Sequence, residues 1–307
     1  MIWVLLALIA HAGNGLVFIV DKGLLGTDSG AGNPKKLAFY SGLLSAAAIV
    51  LAALDFAVPN LFAVTWSLVG GVLFVGALWL FFAALDSDEA SRVVPVTGSA
   101  VPIFTLLFAW LFLQEPLTSQ QIGAVLLLIA GGGALSIGFK NTKRMSAKTW
   151  VLAIAAGAAF AAYFAAVKFL YDNFNPFWSA FAYSRFAVGV AALLFLGPLM
   201  WVGRGKKEKS RRISKKKKRT SRYILTSFFG SKVLSTAMFM LQSYAIDLGS
   251  VTVVNALQGT QYVFVLVVAA LLSKRLPKLF HEEVHRVALI QKGIGILLIS
   301  GGLVLLL

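Results

Sequence analysis

The chain has 307 residues, a formal net charge of +16 at pH 7, 59% hydrophobic residues, 13% charged residues and a mean hydropathy of +0.83. Soluble domains carry about 45–50% apolar and about 25% charged residues, so this chain has too few polar side chains to cover a surface in water, and its solvent is lipid. It has no cysteine and only three scattered histidines (His11, His281, His285), which excludes a disulfide framework, a thiolate metal site and a histidine-built one.

A spanning helix needs about 20 mostly apolar residues. Ten segments meet that length, at roughly 2–20, 36–54, 61–84, 92–113, 120–139, 149–171, 177–202, 223–246, 250–272 and 287–307. In the first, Ala10-His11-Ala12 imitates a signal cleavage site, but no basic residue precedes Trp3, so the segment reads as a retained span. The stretch Ala90–Gly132 is a helical hairpin around the polar elbow Gln114–Gln121. Pro102 lies inside its first arm, where neighbouring helices can re-satisfy the freed carbonyl.

All but three of the 28 basic residues lie in the connections after spans 1, 3, 5, 7 and 9. The other connections carry only Asp55, Glu115, Asp172 and Asp247. By the positive-inside rule the basic connections are cytoplasmic and both termini lie outside, in a multi-pass protein of the plasma membrane. The basic run within 204–222 lacks the aromatic residues on which bases would stack, so it reads as an orienting loop that touches anionic lipid headgroups, not as a nucleic-acid site.

The chain also repeats itself. Trp3-Val4-Leu5 returns as Trp150-Val151-Leu152, Tyr40-Ser41 as Tyr183-Ser184, and Ala84-Leu85-Asp86 as Ala245-Ile246-Asp247. Val93-Val94 with Ala109 returns as Val253-Val254 with Ala269, and Gly123, Ile129 and Gly131-Gly132 return as Gly293, Ile299 and Gly301-Gly302. The halves are therefore 1–139 and 149–307, joined by the basic connection 140–148. Five spans per half is an odd number, so the second copy enters the membrane inverted, as in alternating-access transporters. The fold expected is all-α and polytopic, with ten transmembrane helices in two inverted five-helix repeats.

The residues 90–132, with SRVVP, LLFAWLFLQEPLT and QQIGAVLLLIAGG, resemble the EamA-type repeat of the drug/metabolite transporter superfamily. The second half, with VTVVNALQGTQYVFVLVVAALLSK and KGIGILLISGGLVLLL, resembles the same repeat. The resemblance covers nearly the whole chain and implies a ten-helix secondary carrier of small metabolites with a central cavity lined by both halves. Members often keep both termini in the cytoplasm, where the charge pattern here gives the reverse. Members also often carry a basic residue early in helices 2 and 7; here Gly42 stands opposite Arg185.

A charge at the bilayer centre is expensive and usually faces a cavity. Arg185 and Lys232 lie about nine residues inside their spans, whereas Lys168 is near enough to a span end to reach the interface. No Asp or Glu is expected at comparable depth, so the deep charge is positive and uncompensated, which favours a carboxylate or phosphate substrate. The competing reading has both cations bonded to backbone carbonyls and to Gln242 or Ser243. A histidine can titrate in the physiological range, but His11 is read as structural, and the missing carboxylate disfavours a proton-coupled exporter of cations.

Asn14 follows His11 at i+3 on one face, and Asn255, Gln258 and Gln261 form an amide stripe at i, i+3, i+6. The stripe suits interhelical glue or cavity lining equally. Tyr183, Trp79, Trp66, Tyr163 and Trp178 are candidates for an aromatic wall, Trp178 also for an interfacial anchor. Gly157 and Gly131–Gly133 permit close helix contact. The expected substrate site thus comprises Arg185, Lys232, Asn14, His11, Asn255, Gln258, Gln261, Tyr183 and Trp79. No cofactor, metal or enzymatic step is expected, since no nucleophile–base pair or carboxylate dyad is visible. A homodimer is compatible with such a chain. The alternatives are a flippase for a lipid-linked sugar phosphate and a non-transporting membrane assembly subunit.

Overall fold

The computed structural model describes residues 2–25, 33–88, 90–113, 118–136, 145–202, 217–261, 264 and 286–306. Every regular element among them is helical. The first half comprises α1 (Ile2–Leu25), α2 (Pro34–Ser45, tightening to 3-10 geometry over Ala46–Leu54), α3 (Leu61–Ser87), α4 (Ala90–Phe108, ending in a π turn over Ala109–Leu113) and α5 (Ser119–Ser136). The second half comprises α6 (Ala147–Asn173), α7 (Phe177–Ala191, continued by a π turn over Ala192–Leu196 and by Gly197–Val202), α8 (Lys217–Leu248), the short α9 (Val251–Ala256) and α10 (Arg286–Leu306).

Helix starts are set by polar residues that satisfy the first free N–H groups. Asn60 accepts from the Ala63 amide at 2.8 Å and Ser146 from the Thr149 amide at 3.1 Å. Before α5, Thr118 and Gln121 bond each other's amides at 3.2 and 3.1 Å, a reciprocal capping box. α7 is capped from another segment: the Asp55 carboxylate accepts from the Trp178 and Ser179 amides at 3.0 and 2.8 Å. A carboxylate at a helix N-terminus also opposes the positive end of its dipole. That cap holds the helix carrying Arg185, which follows Asp55's amide partners by about two turns.

Among the described residues, five stretches are long and apolar enough to cross a membrane: Ile2–Asp21, Pro34–Leu54, Leu61–Ser87, Ala147–Asn173 and Phe177–Leu199. Shorter apolar stretches occupy Val96–Leu111, Ser119–Gly131 and Gly293–Gly302, in α4, α5 and α10. The ten expected spans are therefore met in part. α4 loses hydropathy to buried Thr97 and Thr105, and α8 to Lys232, Gln242 and Ser243 among its buried residues. Outside the described residues lie the elbow at 114–117, residues 137–144 and 203–216 of the two basic connections, and 262–263 and 265–285, with His281 and His285.

The principal pairings join one half to the other. α1 packs on α8 with Trp3 beside Gly249, Gly13 beside Met238, and Asp21 bonded to Lys232, so these helices run antiparallel. α3 packs on α6 the same way: Phe62 and Trp66 meet Phe169, Gly70 meets Tyr163, and Phe81 meets Phe160. α2 and α7 are antiparallel through Gly42 beside Ala192, Ser45 on Arg185, and Asp55 on Ser179. α5 and α10 are antiparallel through Gln120 Nε2 donating to the Leu305 carbonyl and Gly131 beside Ile299. Exchanging the halves turns the α1–α8 pair into α6–α3 and leaves α2–α7 and α5–α10 in place.

Small residues let these backbones touch. A Cβ at Gly71 would sit 2.6 Å from the Ala187 carbonyl oxygen on α7, and one at Gly157 2.7 Å from the Thr97 carbonyl oxygen on α4. Backbone cannot rotate aside as a side chain can. Gly71→Ala is therefore expected to destabilise by about 1–3 kcal/mol, whereas Gly76→Ala, with nothing within 4 Å of its Cβ, is neutral or slightly stabilising. Thermal unfolding of both variants in detergent checks this; equal melting temperatures would contradict the close α3–α7 contact.

Candidate functional site

A cavity of about 100 Å³ lies between the halves, with wall residues from α1, α2, α3, α4, α6, α7, α8 and the chain just after α9. Its apolar wall is built of phenylalanines, among them Phe18, Phe74, Phe81, Phe160, Phe164 and Phe239. The polar wall holds His11, Asn14, Asp21, Ser41, Ser45 and Arg185, with Lys232, Gln242, Gln258 and Gln261 beyond them.

Arg185 is only 6% exposed. Its Nη2 donates to Ser45 Oγ at 2.7 Å and its Nη1 to Tyr163 Oη at 3.3 Å. Ser45 Oγ in turn donates to the Ser41 carbonyl at 3.0 Å. The Phe74 and Phe239 rings each lie 4.4 Å from the guanidinium carbon. Such contacts stabilise a desolvated cation by about 2 kcal/mol or more. α2, α3, α6 and α8 therefore all converge on one α7 side chain. Among the described residues, no carboxylate pairs with it. Arg185 lines the cavity, and the Ser45 and Tyr163 hydroxyls take two of its five N–H donors.

Lys232 corrects the expectation of two uncompensated cations. Its Nζ lies 2.8 Å from both oxygens of Asp21, and the two residues are 8% and 2% exposed. The expectation that no acid lies at depth fails because α1 does not stop at residue 20. It continues to Leu25, which carries Asp21 a turn inside the helix. Ser231 Oγ also donates to Asp21 at 3.4 Å, and the Phe82 and Phe228 rings lie 5.6 and 5.7 Å from the ammonium. The bonds to Gln242 or Ser243 expected in the competing reading are replaced by these partners. Lys168, near the end of α6, pairs with Asp172 at 2.9 Å.

The neutral candidates divide between the wall and its backing. His11 donates from Nε2 to the Val254 carbonyl at 2.8 Å. Asn14 Nδ2 donates to Gln242 Oε1 at 3.4 Å, Gln242 Nε2 to Asn255 Oδ1 at 3.2 Å, and Asn255 Nδ2 to Thr105 Oγ1 at 3.2 Å. Asn255 thus lies behind the wall, whereas Gln258 and Gln261 are on it. After α9 the chain continues with i→i+3 bonds, Gln258 N to Asn255 O and Gln261 N to Gln258 O. That tighter geometry eclipses side chains three apart and stacks the two glutamines. Tyr183 and Trp79 lie elsewhere: the Tyr183 hydroxyl donates to the Ala57 carbonyl, and Trp79 packs under Lys35, whose Nζ is 5.3 Å from its ring. Trp66 packs on Phe62 and Phe169, and Trp178 stacks on Tyr244. The site partners not anticipated from sequence are Asp21, Ser45 and the phenylalanine wall.

Breaking one member of a buried ion pair leaves the other charge uncompensated, at about 3–5 kcal/mol. Asp21→Asn and Lys232→Met are each expected to lower stability by that order, and the double variant to recover most of the loss. Unfolding of the three proteins in detergent checks this, and additive losses in the double variant would contradict the pairing.

The sequence profile of the EamA-like transporter family matches residues 1–137 and again 147–307. Among curated proteins none matches the chain. A protein of known crystal structure, 17% identical, shares the fold with a TM-score of 0.65 over 99% of this chain and 97% of its own. With both halves matched and nearly the full length covered, the chain belongs to the EamA-like transporter family and is an integral, multi-pass membrane protein.

Proposed function

We propose that the protein is a secondary carrier that moves a small, polar, anionic metabolite across the plasma membrane by alternating access between two inverted five-helix halves. The observation that carries this reading is Arg185. A buried guanidinium on a cavity wall, with no carboxylate beside it among the described residues, leaves a net positive site, because Asp21 already neutralises Lys232. An intramembrane charge without a counter-ion is costly, and an anionic substrate supplies the missing partner. Lys232 therefore leaves the substrate role and becomes part of the scaffold.

The antiparallel course of α2 against α7 and of α5 against α10 supports inversion, since equivalent helices of inverted repeats run in opposite senses. Five spans per half, ten in all, accommodate that relation. The basic connections face the cytoplasm and put both termini outside. The carrier moves by rocking one half against the other on the glycine contacts of α3 with α7 and α5 with α10. A cavity of about 100 Å³ suits a small solute.

The test is ligand-induced thermal stabilisation of the purified protein with a panel of carboxylates, phosphates, neutral sugars and amines. An anion present at about 100 times its Kd should stabilise by about 2.7 kcal/mol. Arg185→Gln, which removes the charge, and Arg185→Lys, which keeps charge but loses the planar fork, should both abolish that gain. Stabilisation by neutral or cationic compounds alone, unchanged in both variants, would overturn the proposal.

A further inference from the structure

Several polar groups of the cavity wall and its backing are already paired with one another. Asp21 has both oxygens on Lys232. The Gln242 and Asn255 carbonyl oxygens accept from Asn14 and from Gln242, and the His11 ring donates to Val254. Three wall residues keep donors that no protein group takes among the described residues. Arg185 keeps the N–H groups not taken by Ser45 and Tyr163. Gln261 is 1% exposed, lines the cavity, and among the described residues its Nε2 has no hydrogen-bond partner. Ser41 Oγ, on the same wall, also has none. A buried amide N–H without an acceptor is rare and costly, and a ligand acceptor is a direct way to satisfy it.

Resting on Arg185 as the anion site, we infer that the carried anion is a short carboxylic acid with a second, uncharged oxygen acceptor, an oxo or hydroxy acid, held at two points. Arg185 takes the carboxylate and the Gln261 amide donates to the second oxygen, with Ser41 as a further donor. The carbon skeleton lies against Phe74, Phe164 and Phe239 on the apolar part of the wall. A plain short fatty acid satisfies Arg185 but leaves the Gln261 amide unpaired. Discrimination by hydrogen-bond complementarity is steep where the site's own polar group is buried.

The experiment is calorimetric binding to the full chain in detergent, with pyruvate and lactate against propionate and 3-hydroxybutyrate against butyrate. An oxygen-bearing acid should bind about tenfold or more tighter than its plain counterpart. Gln261→Met should erase that preference, so that each pair of acids binds with equal affinity; if it does not fold, Gln261→Asn, which withdraws the amide by one methylene, serves instead. Arg185→Gln should remove binding of every acid. Equal affinities within each pair, or a preference that survives at position 261, overturn the two-point recognition and leave the anion site standing. If no acid binds, the inference fails, and inorganic phosphate and sulfate tested on wild type and Arg185→Gln then decide whether the anion site fails with it.

Discussion

A guanidinium buried between two halves of a membrane protein must be held by something, and here it is held by hydroxyls and ring faces. Ser45 and Tyr163 take two donors, while Phe74 and Phe239 lie against the Arg185 guanidinium. None of these partners neutralises the charge. The rings fix its orientation and the hydroxyls fix its depth, so the remaining donors are presented at the cavity wall at little entropic cost. Because those partners come from α2, α3, α6 and α8, Arg185 is also a contact point between the halves.

The second deep cation follows the opposite logic. Lys232 is tied to Asp21, which makes the α1–α8 contact an ionic and amide-bonded seam running from Asn14–Gln242 to Asp21–Lys232. One cation is sequestered and one left unpaired, so the cavity carries a single net positive charge among the described residues.

Much of this is legible in the sequence. The internal repeat falls on the two segments that the family profile matches, and the glycine-rich match of Gly131 with Gly301 falls on the α5–α10 crossing. Arg185 stands out because a charge nine residues into an apolar run is costly unless it faces a cavity. Asp21 escapes notice because it falls at the end of a twenty-residue window, where an acid reads as interfacial; the apolar Leu24-Leu25 beyond it is the signal that the helix continues. Ser45 and Ser41 carry no periodic mark in an apolar helix. The phenylalanines are illegible as a wall, since a lipid-facing Phe and a cavity-facing Phe look the same without the partner helix. Tyr183 and Trp79 are drawn to the site by chemistry alone, and position places them on other contacts. Asp55 reads as a loop acid because its role, capping α7, depends on a segment more than a hundred residues away.

The central claim is that the Arg185 cavity opens to each side of the membrane in turn. The chain contains no cysteine, so Ser235→Cys on the cavity wall gives a unique thiol. The decisive measurement is its labelling by a small, membrane-impermeant methanethiosulfonate in right-side-out and in inside-out vesicles. Alternating access predicts modification from both faces, slowed from both by the bound anion, with that protection lost when Arg185 is replaced by glutamine. Modification from one face only, or from neither, would contradict a carrier that exposes one site to both sides.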